Sequence, residues 1–393
     1  MKKQKPALFE KIQLRELTLP NRIIIAPMCQ YSAVNGEATD WHLIHLGHLA
    51  QSGSGMLILE ATAVEPRGRI THGCLGLYDD ETESSLLKVV QTCRKYGNTP
   101  IGIQLGHAGR KASANPPQNG GTPLSETEGS WETIAPSSVP FGNQWHRPRE
   151  MDRSLMDEVI QAHVQAVKRC ERIGFDAIEM HGAHGYLISS FLSPIANRRA
   201  DEFGGDIKNR MRFPLELFSA MREAWPISKP MGVRFNGTDW DDKGLLIEEA
   251  VQFSQALKEL GCDFFDISGG GNSMSRPEVK PGYQAKFAAA VKKATGVPTM
   301  AVGMIRDPQI AENLISEGTC DMVAMARGFL FEPRWAWRAA YELGGESSYP
   351  GQYARANPHL WPQAFPATKE PNTSDDSWEI GAAPHIMVPK TKV

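Results

Sequence analysis

Residues 177–186 read Ala-Ile-Glu-Met-His-Gly-Ala-His-Gly-Tyr, a short and largely apolar run that passes directly into small and polar residues. The preceding stretch, from Asp152 to Ile173, carries apolar residues at intervals of three and four, as an amphipathic helix does. A helix, a short apolar strand and a polar turn form one βα repeat, and such repeats build parallel sheets. The stretch therefore predicts an α/β fold with polar residues at the carboxyl end of a strand.

The same alternation continues in both directions along the chain. Further helical stretches run from Glu81 to Tyr96 and from Asn209 to Trp225. Eight short apolar runs are predicted to be strands, at residues 22–26, 56–59, 101–104, 177–180, 232–235, 264–267, 300–302 and 322–325. Eight βα repeats close into a (β/α)8, or TIM, barrel, in which the active site lies on the loops after the strands.

Two segments depart from this alternation. Residues 111–151 are rich in Pro, Gly, Ser and Asn and interrupt the third repeat, which predicts a long loop excursion, or lid, after the third strand. From about Gly344 the periodicity is lost, and residues 366–393 are polar and contain several prolines. We therefore predict one barrel domain, residues 1–345, and a C-terminal extension, residues 346–393, that is partly disordered and contacts a neighbouring subunit.

Composition narrows the class of protein. The chain has 393 residues and a formal net charge of -3, and its Lys and Arg residues are scattered, so it offers no extended basic surface for nucleic acid. The charged start, Met1 to Pro6, leads into no long apolar run, so neither a secretory signal nor a membrane span is expected. Six cysteines without paired spacing predict free thiols. These features favour a soluble, cytoplasmic protein.

Polar and reactive residues follow several of the predicted strands, where a barrel collects its active-site groups. They include residues 27–31 after the first strand, 104–111 after the third and 181–186 after the fourth. After the seventh and eighth strands, Gly303, Ala326 and Arg327 stand where barrels often bind a phosphate group through backbone N–H groups.

Two histidines three residues apart, His181 and His184, are compatible with a metal site as well as with catalysis. Glu179 lies on the same side of the strand as His181 and could be a further ligand. The alternative for Glu179 is a buried partner of a barrel cation such as Arg234.

Several motifs in this chain, in order, resemble the Old Yellow Enzyme family, and specifically its thermophilic-like and xenobiotic-reductase subgroup. The resemblance spans Leu8 to about Arg355. Its motifs lie at residues 21–31, 60–64, 104–111, 181–186, 191–194 and 201–205. It implies an FMN cofactor at the barrel mouth and an ene-reductase that takes hydride from NADPH or NADH and delivers it to an activated alkene.

The resemblance also assigns residues to the cofactor. Arg234 would stabilise negative charge near flavin N1 and the C2 carbonyl, and Gln104 would bond the pyrimidine edge. The flavin-contacting set is Pro27, Met28, Cys29, Ala61, Gln104, Arg234, Gly303, Ala326 and Arg327. Cys29 would tune the flavin without acting as a nucleophile. Ala326 stands where many relatives have Gly, which requires a negative φ at this position.

The catalytic roles implied by the resemblance fall mainly on the fourth-strand motif. His181 and His184 would polarise the substrate carbonyl, hydride would reach the β-carbon, and Tyr186 would donate the proton to the α-carbon. Tyr31 and Lys111 would contact the bound ligand. Near the C-terminus, Arg355 resembles an arginine that enters the neighbouring subunit's active site, which implies a homodimer or homotetramer. The partner is otherwise a small-molecule activated alkene.

Two other functions are compatible with the same barrel. One is a flavin-free enzyme, such as an aldolase or isomerase, acting on a phosphorylated substrate. Schiff-base chemistry would need a lysine inside the barrel, and the predicted strands contain none. The other is a flavin-binding protein without turnover, for which a proton donor such as Tyr186 has no purpose.

Overall fold

A computed structural model describes residues 5–365 and contains a closed barrel of eight parallel strands. The barrel strands are β3 (Ile23–Ile25), β4 (Met56–Ala63), β5 (Ile101–Gly106), β8 (Ala177–Gly182), β9 (Met231–Asn236), β10 (Phe264–Ser268), β11 (Thr299–Ala301) and β12 (Met322–Met325). They neighbour one another in that order, and β12 pairs with β3 to close the ring. Each predicted strand is present, and the predicted (β/α)8 fold is confirmed.

Helices follow the strands and cover the outside of the barrel. They are α1 (Asp40–Ala50), α2 (Asp80–Tyr96), α3 (Arg153–Ile173), α4 (Leu187–Leu192), α5 (Ile207–Arg210), α6 (Arg212–Ala224), α7 (Ile247–Glu259), α8 (Ala285–Thr295), α9 (Pro308–Ser316), α10 (Arg327–Phe331) and α11 (Trp335–Leu343). The bounds of α3 follow from its caps: the Asp152 side chain accepts a hydrogen bond from Leu155 N, and Gly174 ends the helix with a φ of 89°.

The barrel interior has an apolar floor and a polar upper layer. A short antiparallel hairpin, β1 (Ile12–Leu14) and β2 (Leu17–Leu19), packs its leucines against the apolar interior side chains. Towards the carboxyl ends of the strands, the interior instead carries Gln104, Glu179, Arg234 and Asp266, all buried. The fold thus places buried polar groups directly beneath the loops that form the mouth.

The excursion predicted after the third strand lies between β5 and α3. It contains short 3-10 turns and two brief paired segments, β6 (Ile134–Ala135) and β7 (Arg149–Glu150). Arg110, 1% exposed, holds it to the mouth, because its guanidinium donates to Asn272 O at 2.9 Å and to Pro140 O at 3.4 Å.

The first part of the C-terminal extension packs on the barrel. Residues 346–365 form two 3-10 turns, and the Tyr341 hydroxyl donates to Phe365 O at 2.6 Å. The predicted disorder of residues 366–393 lies outside the described residues. Within residues 5–365, no helix has the length and apolar character needed to cross a membrane.

Candidate active site

Three aromatic side chains meet at the carboxyl end of β8. The His181 ring lies 5.2 Å from the rings of both His184 and Tyr186, centroid to centroid. The turn between them is sharp: His184 has a φ of 61°, and its backbone N–H donates to Asn236 Oδ1 at 3.1 Å. Gly185 follows with a φ of 75°, where a Cβ atom would lie 1.9 Å from Gly271 O. Only glycine fits there, so the turn that aims these rings depends on the residue type.

Both imidazoles are neutral. Burial, followed by the charge of Arg234, lowers the pKa of His181 and of His184 well below the ordinary histidine value. Neutral imidazole has one N–H, so its neighbours decide which nitrogen donates.

Local hydrogen bonds fix these protons. His181 Nδ1 accepts from Ala183 N at 3.4 Å, so its proton lies on Nε2. His184 Nε2 lies 2.8 Å from Ser268 Oγ, and the hydroxyl has no other acceptor in the described chain. With Ser268 as the donor, His184 carries its proton on Nδ1. Each ring then retains one N–H for a ligand.

Replacement of Ser268 by alanine is expected to weaken binding of a phenolate ligand by about tenfold, because His184 loses the bond that fixes its tautomer. The measurement is a ligand titration followed in the visible spectrum. A matched control is Ser254→Ala, which removes another buried hydroxyl, bonded only to Val251 O on α7. Equal affinity in the Ser268 variant and the control would contradict the assigned tautomer.

Tyr186 keeps its proton, since burial raises the pKa of its hydroxyl above the ordinary value. Lys111 Nζ lies 5.1 Å from the centre of the Tyr186 ring and 4.5 Å from that of Phe141. The same ammonium donates to His184 O at 2.8 Å and to Gly271 O at 3.3 Å. Burial, and next the charge of Arg110, lowers the pKa of Lys111 to about 7. Lys111 therefore links the β8 and β10 loops beside Tyr186.

The loop after β3 supplies Pro27, Met28, Cys29 and Tyr31, all half-buried at the mouth. Burial, then Cys74 and Glu60, raises the pKa of the Cys29 thiol well above its ordinary value. The thiol is therefore protonated and a weak nucleophile, which agrees with the non-nucleophilic role predicted from the sequence.

The polar layer retains unused hydrogen-bonding groups. Gln104 donates through Nε2 to Glu179 Oε1 at 2.7 Å, which leaves its carbonyl oxygen free. The Arg234 side chain makes no hydrogen bond to any other residue between 5 and 365, and its contact there is a 3.3 Å ion pair with Asp266. A buried guanidinium with free donors requires an acceptor. The O2 and N1 edge of a flavin is such an acceptor, so these residues fit FMN. Ala61 follows the irregularity in β4 at residues 59–61.

The predicted phosphate residues also lie together. Gly303 has a φ of 113°, and a Cβ atom there would lie 2.8 Å from the Tyr283 ring, so glycine is required. Burial raises the pKa of Tyr283, and the positive charge of the exposed Arg327 partly opposes this increase. Arg327 therefore lies near Tyr283. Ala326 has a φ of -100°, which satisfies the condition set for a non-glycine residue.

One predicted site residue is not brought to the mouth. Arg355 is exposed on a 3-10 turn, and it has no hydrogen bond or ion pair with another residue of the described chain. A role in catalysis would have to come from a second subunit. As for the metal alternative, residues 5–365 contain no group of three His, Cys, Asp or Glu side chains arranged to bind a metal ion.

The expected pairing of Glu179 with Arg234 is wrong in detail. The strand register places Asp266 opposite Arg234 and places Glu179 opposite Gly232. Asp266 is consequently the ion-pair partner of Arg234, and Glu179 accepts from Gln104. Sequence reasoning lacked the register, so it could not choose between the two carboxylates.

Sequence reasoning also missed three residues that complete the mouth. Ser268 and Asn236 end β10 and β9 and hold His184, as described above. Cys74 lines a small cavity of about 10 Å³ together with His181 and Tyr186. Polar residues at the last position of a barrel strand are a signal that could have identified the first two. Cys74 follows no predicted strand and gives no such signal.

Comparisons with known proteins identify the family of this chain. A family model described as the NADH:flavin oxidoreductase / NADH oxidase family matches residues 7–346. The chain is 40% identical over 350 residues to the NADPH dehydrogenase of Geobacillus sp. (strain WCH70), an alignment that covers 88% of this chain and 98% of that protein. It is 39% identical over 350 residues, with the same coverage, to the NADPH dehydrogenase of Bacillus subtilis (strain 168).

Solved structures show the same barrel. Morphinone reductase in complex with tetrahydroNAD matches with a TM-score of 0.70 and 25% identity, over 88% of this chain and 93% of that one. A 2-naphthoyl-CoA reductase complex matches with a TM-score of 0.75 and 25% identity, over 84% of this chain and 51% of that one. The chain therefore belongs to the NADH:flavin oxidoreductase / NADH oxidase family, the Old Yellow Enzyme family that its motifs predict, and is a flavin oxidoreductase whose cofactor is FMN.

Proposed function

We propose that this protein is an ene-reductase, which uses NADPH or NADH to reduce the C=C bond of an α,β-unsaturated carbonyl compound. The observation that carries the proposal is the cluster of His181, His184 and Tyr186. It combines two neutral imidazole donors and a protonated phenol, and the rings of His184 and Tyr186 each lie 5.2 Å from that of His181. Relatives named NADPH dehydrogenase and a neighbour bound to tetrahydroNAD support the nicotinamide donor. Family membership removes the flavin-free barrel enzyme and the non-catalytic binding protein as alternatives.

FMN supplies hydride transfer when it is bound, and the chain's own residues bind and orient it. Arg234 and Gln104 offer their free groups to the pyrimidine edge, and Ala61 with the 27–29 segment packs near the ring. The backbone N–H groups of Gly303 and Ala326, with the Arg327 side chain, would hold the phosphate. This placement gives a partner to the free groups of Arg234 and Gln104.

The two histidines stabilise the negative charge that develops on the substrate oxygen. Their N–H groups are fixed by Ala183 and Ser268 before the substrate arrives, so no reorganisation is needed during the reaction. Tyr186, on the same side of the mouth, delivers its proton to the α-carbon. Tyr31 and Lys111 border the ligand.

We further propose that a neighbouring subunit completes the site with Arg355, in a homodimer or homotetramer. The support is that this exposed arginine has no partner in the described part of its own chain. A small apolar or aromatic alkene with one carbonyl suits a mouth that offers two donors and one proton source.

The test is an anaerobic absorbance experiment on the purified protein. A flavin band is expected to bleach on addition of NADPH and to return on addition of 2-cyclohexenone, because each reagent drives one half-reaction. A band that bleaches and does not return with any activated alkene would contradict ene-reduction while leaving the flavin oxidoreductase intact.

A further inference from the structure

The polar layer of the barrel contains two carboxyl groups beside one guanidinium. Glu179 and Asp266 are 1% and 0% exposed, and Arg234, 9% exposed, lies in register between His181 and Asp266. His181 is neutral, as shown above, and Gln104 carries no charge. If both carboxyls were ionised, this closed layer would hold a net negative charge. Such a charge is costly in a poorly solvated interior.

Other elements do not compensate that charge. Ile24, Ile58, Met300 and Met322 on the remaining strands form the apolar floor below this layer and carry no charge. Glu60 on β4 is also buried, but its contacts are with His42 Nε2 at 3.4 Å and Gln30 N at 3.0 Å. The next cation towards the mouth is Lys111, which donates to two backbone carbonyl oxygens of the β8 and β10 loops. Within the described chain, Arg234 is therefore the cation that faces both carboxyls.

The contacts distinguish the two carboxyls. Asp266 Oδ2 lies 3.3 Å from Arg234 Nε, so Asp266 is the direct counter-ion. Glu179 makes no ion pair with a described residue: its Oε1 accepts from Gln104, and its buried Oε2 has no partner. A proton on Glu179 removes the uncompensated charge without breaking an ion pair.

The directions of the two pKa shifts agree with this geometry. Burial, and next the negative charge of Asp266, raises the pKa of Glu179 to about 8. For Asp266, burial raises the pKa and Arg234 opposes the increase. Two interacting carboxyls of this kind release their protons in separate steps that belong to the pair.

We propose that Glu179 and Asp266 hold a single proton, carried by Glu179, and that this pair takes up a proton from solvent when the bound flavin is reduced in alkaline solution. The inference rests on the proposed placement of the flavin pyrimidine edge over Arg234. Negative charge added there makes the loss of the Glu179 proton harder. The balance is two electrons and one proton to the flavin and one further proton from water to the carboxylate; no bond between flavin and protein forms. Glu179 is thus a positioning residue that acts through Gln104 and Arg234.

The first test measures the midpoint potential of the FMN-loaded protein between pH 6 and 10. Two-electron reduction to an N1-anionic flavin takes up one proton, and the wild-type protein is expected to change to two protons per two electrons near pH 8. Glu179→Gln imitates the protonated carboxyl, so this variant should take up one proton per two electrons at every pH in the range. Asp266→Asn leaves Glu179 as the remaining counter-ion of Arg234, so the two-proton segment should move to lower pH.

If the midpoint potential of Glu179→Gln still shows the two-proton dependence near pH 8, the second proton belongs to another group, such as Lys111. That result would overturn the proposal. A wild-type slope of one proton at every pH would do the same.

The second test does not depend on the variants folding or on the flavin lying over Arg234. Infrared spectra of wild-type protein should show a protonated-carboxyl C=O band at pH 6.5 that disappears above pH 9, since ionisation removes it. Labelling with ¹³C-glutamate should shift the band, and labelling with ¹³C-aspartate should not. The band should persist in Glu60→Gln, which replaces the other buried glutamate whose pKa burial raises. If the band is absent, or moves with aspartate, the proton assignment is wrong. If the band is present but the midpoint potential shows no second proton, Glu179 carries the proton as proposed. The proposed position of the flavin over Arg234 is then wrong.

Discussion

Replacement of Tyr186 by phenylalanine is expected to slow alkene reduction by about 10²- to 10⁴-fold, the range for loss of a general acid, and to leave flavin reduction by NADPH nearly unchanged. The phenol is the protonated group beside the two histidines, and burial holds its pKa above the ordinary value, so it has a proton to give at neutral pH. The nicotinamide half-reaction needs no proton from it. Stopped-flow absorbance measures the two half-reactions separately.

Tyr31 provides the matched control. It is a second half-buried tyrosine at the mouth, with a pKa also raised by burial, and it lies on the loop after β3, whereas Tyr186 follows β8 with the two histidines. Tyr31→Phe should therefore change ligand affinity more than the rate of alkene reduction. Equal losses in both half-reactions of Tyr186→Phe, or equal losses for the two variants, would contradict the role of Tyr186 as proton donor.

The barrel could be predicted from sequence because its signals are local. Short apolar runs and periodic helices need no knowledge of distant residues, and each predicted strand appears in the structure. The largest difference is β4, which was predicted to end at Leu59 and continues to Ala63. The register shifts between Leu59 and Ala61, and the strand continues beyond Glu60. In the sequence, the charged Glu60 after an apolar run indicates the end of a strand.

The site could be predicted only in part. The motif at residues 181–186 is contiguous, so its three side chains could be named together. The groups that fix their protons come from other strands: Ser268 ends β10, and Asn236 ends β9. The choice between Asp266 and Glu179 as the partner of Arg234 likewise depends on register. The proposed role of Arg355 requires a second chain, which no pattern within one chain describes.

Conversion of both His181 and His184 to alanine is expected to abolish phenolate binding. A phenolate oxygen imitates the oxyanion of the reaction, and each N–H donor to such an oxygen is worth about 10²- to 10³-fold in a site that excludes water. The loss of two donors exceeds the range of an ordinary titration. The charge-transfer absorbance between bound phenolate and flavin measures it, and undiminished colour in the double variant would refute the assignment.

The pH dependence of the same binding reports the charge of the histidines. Burial lowers the pKa of both rings below the ordinary value of about 6.5, so neither ring changes charge between pH 6 and 9. In Lys111→Met, which removes the neighbouring group with a pKa of about 7, phenolate affinity should then rise with pH until the phenol itself is ionised, and should not fall near pH 6.5. A decrease centred there in this variant would mean that an imidazolium, and not a neutral donor, binds the oxygen. His181→Asn, which retains an N–H donor without a titrating ring, should keep the wild-type pH profile at reduced affinity, because the geometry of donation and not the charge of the ring then determines binding.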